Sequence, residues 1–290
     1  TYARPSSQPL LHPSQKGKTM RLDLHVHCNV ADPAAAADLV RTCEKLSTRA
    51  ALSGGSRYGS HDYAPNDYVL GLSKQYPDWI LPMARFDLWE TAPDPAAVHR
   101  LAEQGFRGLK CIYPFYPYDH DSYMPVYAAA SQCRLPILFH TGNYRPSEAD
   151  ARWQRPVLTN MSPLTLDRIA RSFPDLKIVM AHLGTTFWRL EAAELIKLHP
   201  NLYSDLAGCG SWMALAPETL VKLLTPTIPL MDASYRGFRK LVLGSDAYVN
   251  IPGIMVDAQA WYDAFCRKIG LPEDVAKGIM GDTAAAWFMA

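Results

Sequence analysis

The stretch Arg21-Leu22-Asp23-Leu24-His25-Val26-His27 marks where the folded part of the chain is expected to begin. Polar and apolar residues alternate along it, which is typical of a β-strand whose two faces differ. By that alternation, Asp23, His25 and His27 are expected on one face. Two imidazoles spaced in this way at the end of a strand can chelate one ion, although an isolated pair of histidines is a weak motif.

The same order, a short apolar run followed by a helical stretch, recurs along the chain. After Arg21–His27, further strands are predicted at Arg49–Leu52, Trp79–Phe86, Gly108–Tyr113, Pro136–His140, Lys177–His182, Asn201–Leu206 and Lys240–Asp246. Helices are predicted at or near Pro33–Leu46, Pro95–Gln104, Pro125–Cys133, Leu164–Ser172, Trp188–Leu198, Pro217–Leu224, Val256–Ile269 and Pro272–Met280. This α/β alternation over 290 residues predicts a single-domain (β/α)8 TIM barrel with extra C-terminal helices, in preference to an open doubly wound sheet.

Composition and charge limit the expected domain bounds, partners and cellular location of this chain. Residues 1–19 are rich in Pro, Ser, Gln and Lys and are interpreted as a flexible extension, so the barrel domain is expected over 20–290. A net charge of +1 without charged blocks gives no support for nucleic acid or a membrane surface as a partner. Six cysteines without a C-x-x-C pair indicate reduced thiols, which favours a cytoplasmic location.

Residues that can bind a metal or carry a proton end several of the predicted strands. His25 and His27 close the first run, His140 the fifth, His182 the sixth and Asp246 the eighth. The C-terminal ends of barrel strands meet at one face, which is where barrel enzymes hold their active sites. Burying an ionisable group there is unfavourable unless the group is paired or bound to metal. These residues therefore predict one polar site at the mouth of the barrel.

Five motifs, taken in their order, resemble those of the amidohydrolase superfamily over roughly residues 20–290. They are Asp23–His27, Gly108–Lys110, Leu138–Gly142, Ala181–Gly184 and Gly244–Asp246. Within the superfamily, the pattern is similar to the amidohydrolase-related group that includes aminocarboxymuconate semialdehyde decarboxylase and pyrone-dicarboxylate lactonase. Any one motif alone is weak, and the set is specific to the group.

The resemblance implies a metal-dependent enzyme in which His25, His27, His140 and Asp246 bind one divalent ion. Neutral imidazoles and a carboxylate suit Zn²⁺ best, with Mn²⁺, Co²⁺ and Fe²⁺ as alternatives. A metal-activated water would attack a small carboxylated ester, lactone or amide. Asp246 would accept the proton of that water, and His182 would stabilise the developing charge or protonate the leaving group.

Two other functions remain open at this point. The first is a metal-dependent non-oxidative decarboxylase or hydratase, a lyase that uses the same site. The second is a barrel that binds metal without turnover. The resemblance also allows a homodimer, which the residues themselves do not decide.

Contacts to the substrate are expected from side chains at or just after strand ends. Arginine binds carboxylates and aromatic rings bind planar faces, so Arg85, Arg145, Tyr113 and Tyr248 predict a small, carboxylated substrate. Lys110 ends the fourth run and has three open interpretations. It faces the substrate or an ion-pair partner, it is carbamylated and bridges two metals, or it is buried without a direct role.

Overall fold

The strands and helices follow the predicted alternation. The computed structural model describes residues 20–54, 63–88, 93–143, 157–208, 215–225 and 236–289. The strands β1 to β8 are Arg21–His27, Thr48–Ser53, Ile80–Arg85, Gly108–Cys111, Ile137–Phe139, Ile178–Met180, Leu202–Ser204 and Ala247–Tyr248. The helices α1 to α10 are Pro33–Leu46, Asn66–Gln75, Ala96–Gln104, Met124–Gln132, Leu166–Ser172, Arg189–Leu198, Pro217–Leu224, Gly253–Lys268, Glu273–Lys277 and Thr283–Met289. The predicted extension at residues 1–19 lies outside the described residues.

All strand pairs in the sheet are parallel, and neighbours in space are neighbours in sequence from β1 to β7. β8 pairs with β1 on the other side. The gap between β7 and β1 is filled by the segment Leu241–Leu243. Leu241 bridges Ser204 in parallel, the Val242 N–H donates to the Ser204 carbonyl over 2.9 Å, and the Leu243 carbonyl accepts from Leu24 over 2.9 Å. These bonds close the sheet into the predicted TIM barrel.

The first helix begins where the sequence indicates. Pro33 occupies its first turn, and the Asp32 side chain accepts a hydrogen bond from the Ala34 N–H over 2.9 Å. Such a cap satisfies a backbone donor that has no partner within the helix. Leu39 and Cys43, which lie four residues apart, are buried from solvent and pack against the outside of the barrel.

The barrel interior is packed with apolar side chains below its mouth. They form one buried cluster with two residues of α10, and the cluster consists of Leu22, Leu24, Ala51, Leu81, Met83, Leu138, Val179, Ala181, Val242, Ala284 and Phe288. Because α10 contributes Ala284 and Phe288, it covers the end of the barrel opposite the carboxyl ends of the strands. A packed interior of this kind confines the polar site to the mouth.

Two elements differ from the sequence-based prediction. The eighth strand was predicted at Lys240–Asp246, but the ladder with β1 is made by Ala247–Tyr248, and Leu241–Leu243 makes only the bridging bonds described above. Helix α2 was not predicted. It starts after Pro65 without a side-chain cap, contains Gly71 and buries only Val69 and Leu72, so its pattern is weak. No helix among the described residues is both long and apolar enough to cross a membrane.

Candidate metal centre

Three of the predicted site residues bring their polar atoms together at the mouth of the barrel. The Nε2 atoms of His25 and His27 lie 3.1 Å apart. The Oδ1 atom of Asp246 lies 3.3 Å from Nε2 of His25 and 2.9 Å from Nε2 of His27. The two imidazoles are buried, and the Asp246 side chain is 16% exposed. Side chains from opposite ends of the sequence thus converge on one small space, as a chelating site requires.

An irregularity in β1 turns both histidines toward this space. The pairing of β1 with β2 shifts register between Asp23 and Val26, so strict alternation along the strand is interrupted. Leu22 and Leu24 belong to the interior cluster, and Val26 packs on the outer face with α1. The expectation that Asp23 shares a face with the histidines is wrong. Its Oδ1 accepts the backbone N–H groups of His25, over 3.1 Å, and of Ser245, over 3.0 Å.

Hydrogen bonds at the far side of each ring select the tautomers of His25 and His27. Nδ1 of His25 lies 2.8 Å from Oδ2 of the buried Asp205, an acceptor, so Nδ1 carries the proton. Nδ1 of His27 lies 3.3 Å from Oγ of Ser53, whose own proton is donated to the Val26 carbonyl over 3.2 Å. Ser53 is therefore left to accept from His27. Both Nε2 atoms consequently present lone pairs toward Asp246.

His140 and His182 form a second hydrogen-bonded pair at the mouth. Nδ1 of His182 donates to the Ala207 carbonyl over 2.8 Å, which leaves Nε2 of the neutral ring as an acceptor. That atom lies 3.1 Å from Nδ1 of His140. The His140 proton is then on Nδ1, and its Nε2 has a free lone pair. This Nε2 is buried and has no hydrogen-bond partner among the described residues.

The arrangement meets the chemical needs of a divalent cation. Three imidazole lone pairs and a carboxylate lie at one mouth, and a buried acceptor without a donor is costly. The triplet of His25, His27 and Asp246 has ligand atoms that all lie within 4.8 Å of one another. His140 is not part of that triplet, and its ring is centred 4.8 Å from the His182 ring.

Burial keeps these groups in the protonation states that a metal requires. It lowers the pKa values of His25 and His140 well below their usual range, and it also lowers the pKa of His27. Burial alone would raise the pKa of Asp246, but the neighbouring His25 and His27 reverse the effect, and the pKa lies below its usual value. The site therefore combines neutral imidazoles with an ionised carboxylate at neutral pH.

Lys110 is fully buried at the centre of this group. Its Nζ lies 2.9 Å from Nε2 of His25, so its ammonium is positioned to donate to that lone pair. Burial lowers its pKa to about 8, which leaves it mainly protonated at neutral pH. Arg85 pairs with Lys110 in the ladder between β3 and β4 and is 6% exposed. Two cationic side chains thus lie beside the histidines, Arg85 at the last residue of β3 and Lys110 one residue before the end of β4.

Several residues at the mouth have unusual backbone conformations. His182, Asp246 and Tyr113 have φ angles of 69°, 60° and 54°, in the left-handed region that non-glycine residues seldom adopt. Such conformations cost about 1–3 kcal/mol each and cluster at functional sites. All three residues directly follow or lie near the ends of barrel strands, so the strain is concentrated where the polar side chains converge.

Aromatic rings line one side of the centre. The Tyr248 ring stacks on His27 at a centroid distance of 5.7 Å, and Tyr63 stacks on the same histidine at 5.5 Å. The Tyr113 ring is centred 6.2 Å from the His140 ring. Tyr113 and Tyr248 therefore lie beside metal-binding candidates, and their contact with a substrate stays a prediction. The remaining predicted contact, Arg145, lies outside the described residues.

Three residues of the site were not singled out from the sequence. Asp205 follows β7 directly, but the seventh strand was predicted to end at Leu206, so the rule that selected Asp246 passed over it. Ser53 ends β2, and a serine at that position does not by itself indicate a functional site. Tyr63 lies in the loop before α2, and only the fold brings its ring to His27.

Comparison with known families identifies this arrangement. The amidohydrolase family model Amidohydro_2 matches residues 37–289, which is most of the chain. The chain belongs to the amidohydrolase family. This confirms the sequence-based expectation of an amidohydrolase-type enzyme on a TIM barrel. A search of curated proteins found no match.

Solved structures of other proteins have the same fold at low identity. An uncharacterised TIM-barrel protein from Bordetella bronchiseptica is 15% identical, with a TM-score of 0.67 over 93% of this chain and 99% of that one. A dihydroxybenzoic acid decarboxylase from Polaromonas, solved with manganese and the inhibitor 2-nitroresorcinol, is 15% identical, with a TM-score of 0.60 over 94% and 97%. A candidate 2-pyrone-4,6-dicarboxylic acid hydrolase from Pseudomonas putida is 17% identical, with a TM-score of 0.58 over 93% and 97%.

Proposed function

We propose that this amidohydrolase is a divalent-metal-dependent hydrolase of a small carboxylated ester, lactone or amide. The observation that carries the proposal is the set of lone pairs at the barrel mouth. His25 and His27 present Nε2 toward the ionised Asp246, and His140 holds a buried Nε2 that has no donor among the described residues. Acceptors packed together in this way favour a cation between them, and the Lys110 ammonium, 2.9 Å from Nε2 of His25, would give way to the metal at that atom.

His25, His27, His140 and Asp246 would hold the metal. Imidazole and carboxylate ligands suit Zn²⁺, and Mn²⁺ is supported by the manganese in the Polaromonas decarboxylase. When bound, the ion would supply Lewis acidity that polarises a substrate carbonyl and activates a water for attack. A homodimer and a cytoplasmic location stay predictions.

The surrounding side chains provide charge and proton transfer. Lys110 and Arg85, on neighbouring strand ends, would bind a carboxylate of the substrate, with Arg145 as a further proposed contact. Asp246 is ionised and would accept a proton from the attacking water. His182 is oriented through its Nδ1 by the Ala207 carbonyl, and after taking up a proton at Nε2 it would stabilise or protonate the leaving group. Tyr113 and Tyr248 would flank the substrate.

Decarboxylation is the second candidate function for the same residues. The observation that favours it is the buried Lys110 ammonium among the histidines, since a cation there could hold a carboxylate deep in the site. The fold similarity to the dihydroxybenzoic acid decarboxylase is compatible with it. Purified protein loaded with Zn²⁺ or Mn²⁺ is to be tested on aromatic carboxylates for carbon dioxide release and on lactones and esters for ring opening. Turnover confined to the first panel would replace the hydrolase with a lyase.

Metal content tests the ligand assignment independently of any substrate. Plasma mass spectrometry is expected to find about one tightly held ion per chain in the wild-type protein. His140→Ala should lose it, because the variant lacks a ligand. His182→Ala should keep the ion and lose activity, because His182 acts on the substrate.

A buried histidine outside the site provides the control. His199 is 5% exposed and pairs with Asp167 over 2.8 Å, away from the barrel mouth. His199→Ala should retain the wild-type metal content. If His182→Ala lost the ion and His140→Ala kept it, the two roles would be assigned the wrong way round. About two ions per chain would instead favour a carbamylated Lys110 that bridges them.

A further inference from the structure

Asp205 is a fully buried carboxylate whose two oxygens serve different parts of the site. Oδ2 accepts from Nδ1 of His25 over 2.8 Å. Oδ1 accepts from the backbone N–H of His182 over 2.6 Å and from that of Ala207 over 3.1 Å. Asp205 is the acceptor in all of these hydrogen bonds, so its carboxylate needs no proton. One side chain therefore contacts both His25 of β1 and His182, which follows β6.

The surroundings hold this carboxylate in one place. A Cβ atom at Gly244 would lie 2.7 Å from both Cβ and Oδ2 of Asp205, which is closer than such atoms approach. The backbone N–H of Leu206, the next residue, donates to the Tyr262 hydroxyl over 2.8 Å. Glycine at position 244 permits the close approach, and the Tyr262 bond fixes the backbone beside it. Asp205 is thus positioned with little freedom to turn.

We propose that Asp205 is a positioning residue that fixes the His25 tautomer and the strained backbone of His182 with a single carboxylate. This inference rests on the proposed metal site, since the tautomer matters through the lone pair that it leaves on Nε2 of His25. A partner of this kind on a ligating histidine typically changes metal affinity 10–100-fold when it is removed. The His182 N–H bond would hold that residue at a φ of 69°, with its ring directed at His140.

The variant Asp205→Asn tests the hydrogen-bonding roles of Asp205, because it keeps the shape of the side chain and changes what the side chain can accept. Asparagine has the shape of aspartate but can accept hydrogen bonds at only one of the two positions. Its oxygen is expected to stay with the two backbone donors, His182 and Ala207. Its NH₂ group then faces Nδ1 of His25, which must accept and must move its own proton to Nε2, where the Lys110 ammonium gives up its hydrogen bond. In that tautomer Nε2 has no lone pair for a metal.

Nitrogen NMR of the metal-free protein shows which ring nitrogen of His25 carries the proton. In the wild-type protein, the His25 signals, assigned by comparison with His25→Asn, should show the proton on Nδ1. In Asp205→Asn they should show it on Nε2. Titration with Zn²⁺ against a competing chelator should give an affinity roughly 10–100-fold weaker for the variant.

A second aspartate–histidine pair supplies the matched control. Asp167→Asn alters the contact of Asp167 with His199, which is also 2.8 Å long, without touching the site. It should leave the His25 tautomer and the Zn²⁺ affinity at their wild-type values. An equal loss of affinity in both variants would mean that general destabilisation is responsible, and the proposal would be rejected.

The remaining outcomes separate the proposal from the metal function. A wild-type His25 that carries its proton on Nε2 overturns the positioning role, even if Asp205→Asn fails to fold. An unchanged tautomer in a folded Asp205→Asn protein overturns it too. A tautomer switch in a protein that binds no metal would support Asp205 and reject the proposed metal function.

Discussion

Backbone strain at single residues is concentrated around His182. This residue has a φ of 69°, and Leu183 and Thr185 on either side of Gly184 also have positive φ angles. The His182 ring is confined by Gly208, since a Cβ there would lie 2.6 Å from Nδ1. The ring orientation therefore depends on a glycine that follows the neighbouring strand β7, a relationship that the sequence alone does not reveal.

Replacing Gly208 with alanine should disturb this arrangement. Gly208 has a φ of 95°, so any side chain costs about 1 kcal/mol for the left-handed backbone, and the clash with His182 adds about 1–3 kcal/mol. Gly270→Ala is the control, because Gly270 has a φ of 67° but no atom within 4 Å of the added carbon. Urea unfolding should show a larger loss of stability for Gly208→Ala. Equal losses in the two variants would contradict the clash.

Among the elements, those with strong local signals were predicted well and those defined by tertiary contacts were not. β1 and α1 have the predicted bounds, because β1 alternates clearly and α1 starts with Asp32 and Pro33. The eighth strand was misplaced because the apolar run at Leu241–Leu243 is longer than the ladder that follows it. α2 was missed because its burial is slight.

For the site, too, the features with local sequence signals were predicted and those that depend on tertiary contacts were not. The histidines at the strand ends were predicted, because their positions in the chain decide where they lie in a barrel. The tautomers could not be predicted, because they depend on contacts such as that of Asp205 with His25, across 180 residues of sequence. The shift of register in β1 has no signature in the alternating residues themselves.

Helix α5 is tied to the end of α6 by Asp167. Its carboxylate accepts from Arg171 over 3.0 Å and pairs with His199 over 2.8 Å. The Arg171 hydrogen bond, together with that of His199, holds the pKa of Asp167 below its usual value of 3.8. A carboxyl whose pKa is lower in the folded chain stabilises the fold above its unfolded pKa. That contribution is lost as the pH falls through the folded pKa.

Asp167→Asn should therefore destabilise the protein at neutral pH and not in acid. A loss of about 0.5–1 kcal/mol is expected at pH 7, since the pair is partly exposed. The difference from the wild-type protein should shrink as the pH falls below 3.8. Urea titrations at several pH values provide the measurement, with the exposed Asp257→Asn as a control. A difference that is constant with pH would assign the effect to packing.

At the scale of the whole molecule, the barrel has a polar mouth and an apolar base. Helix α10 closes the base, with Phe288 in the interior cluster and its carbonyl accepting from Arg107 over 2.7 Å. The mouth carries all of the candidate ligands. Stability and chemistry thus depend on opposite ends of the same strands, as is general for this fold.

Phe288→Ala should separate these two properties. Phe288 is 5% exposed, and removing a buried phenyl ring costs about 3–5 kcal/mol. The variant should unfold at a lower urea concentration and still hold its metal ion in the absence of urea. Leu198→Ala, at a side chain that is 51% exposed, should change stability little. Loss of the ion from folded Phe288→Ala would show that the base and the mouth are coupled.

The shift of register in β1 also bears on how this site can change by insertion or deletion. Between Leu24 and His25 the strand switches which residues face inward, so the chain lines the interior with leucines and then the mouth with imidazoles. Because β1 carries one extra residue against β2 here, removing Leu24 would restore strict alternation with Leu22, His25 and His27 all facing inward. A single lost codon at the switch would thus shift Leu22 and Asp23 along the barrel axis relative to the imidazoles by about 3.3 Å, and the imidazoles would still face the mouth.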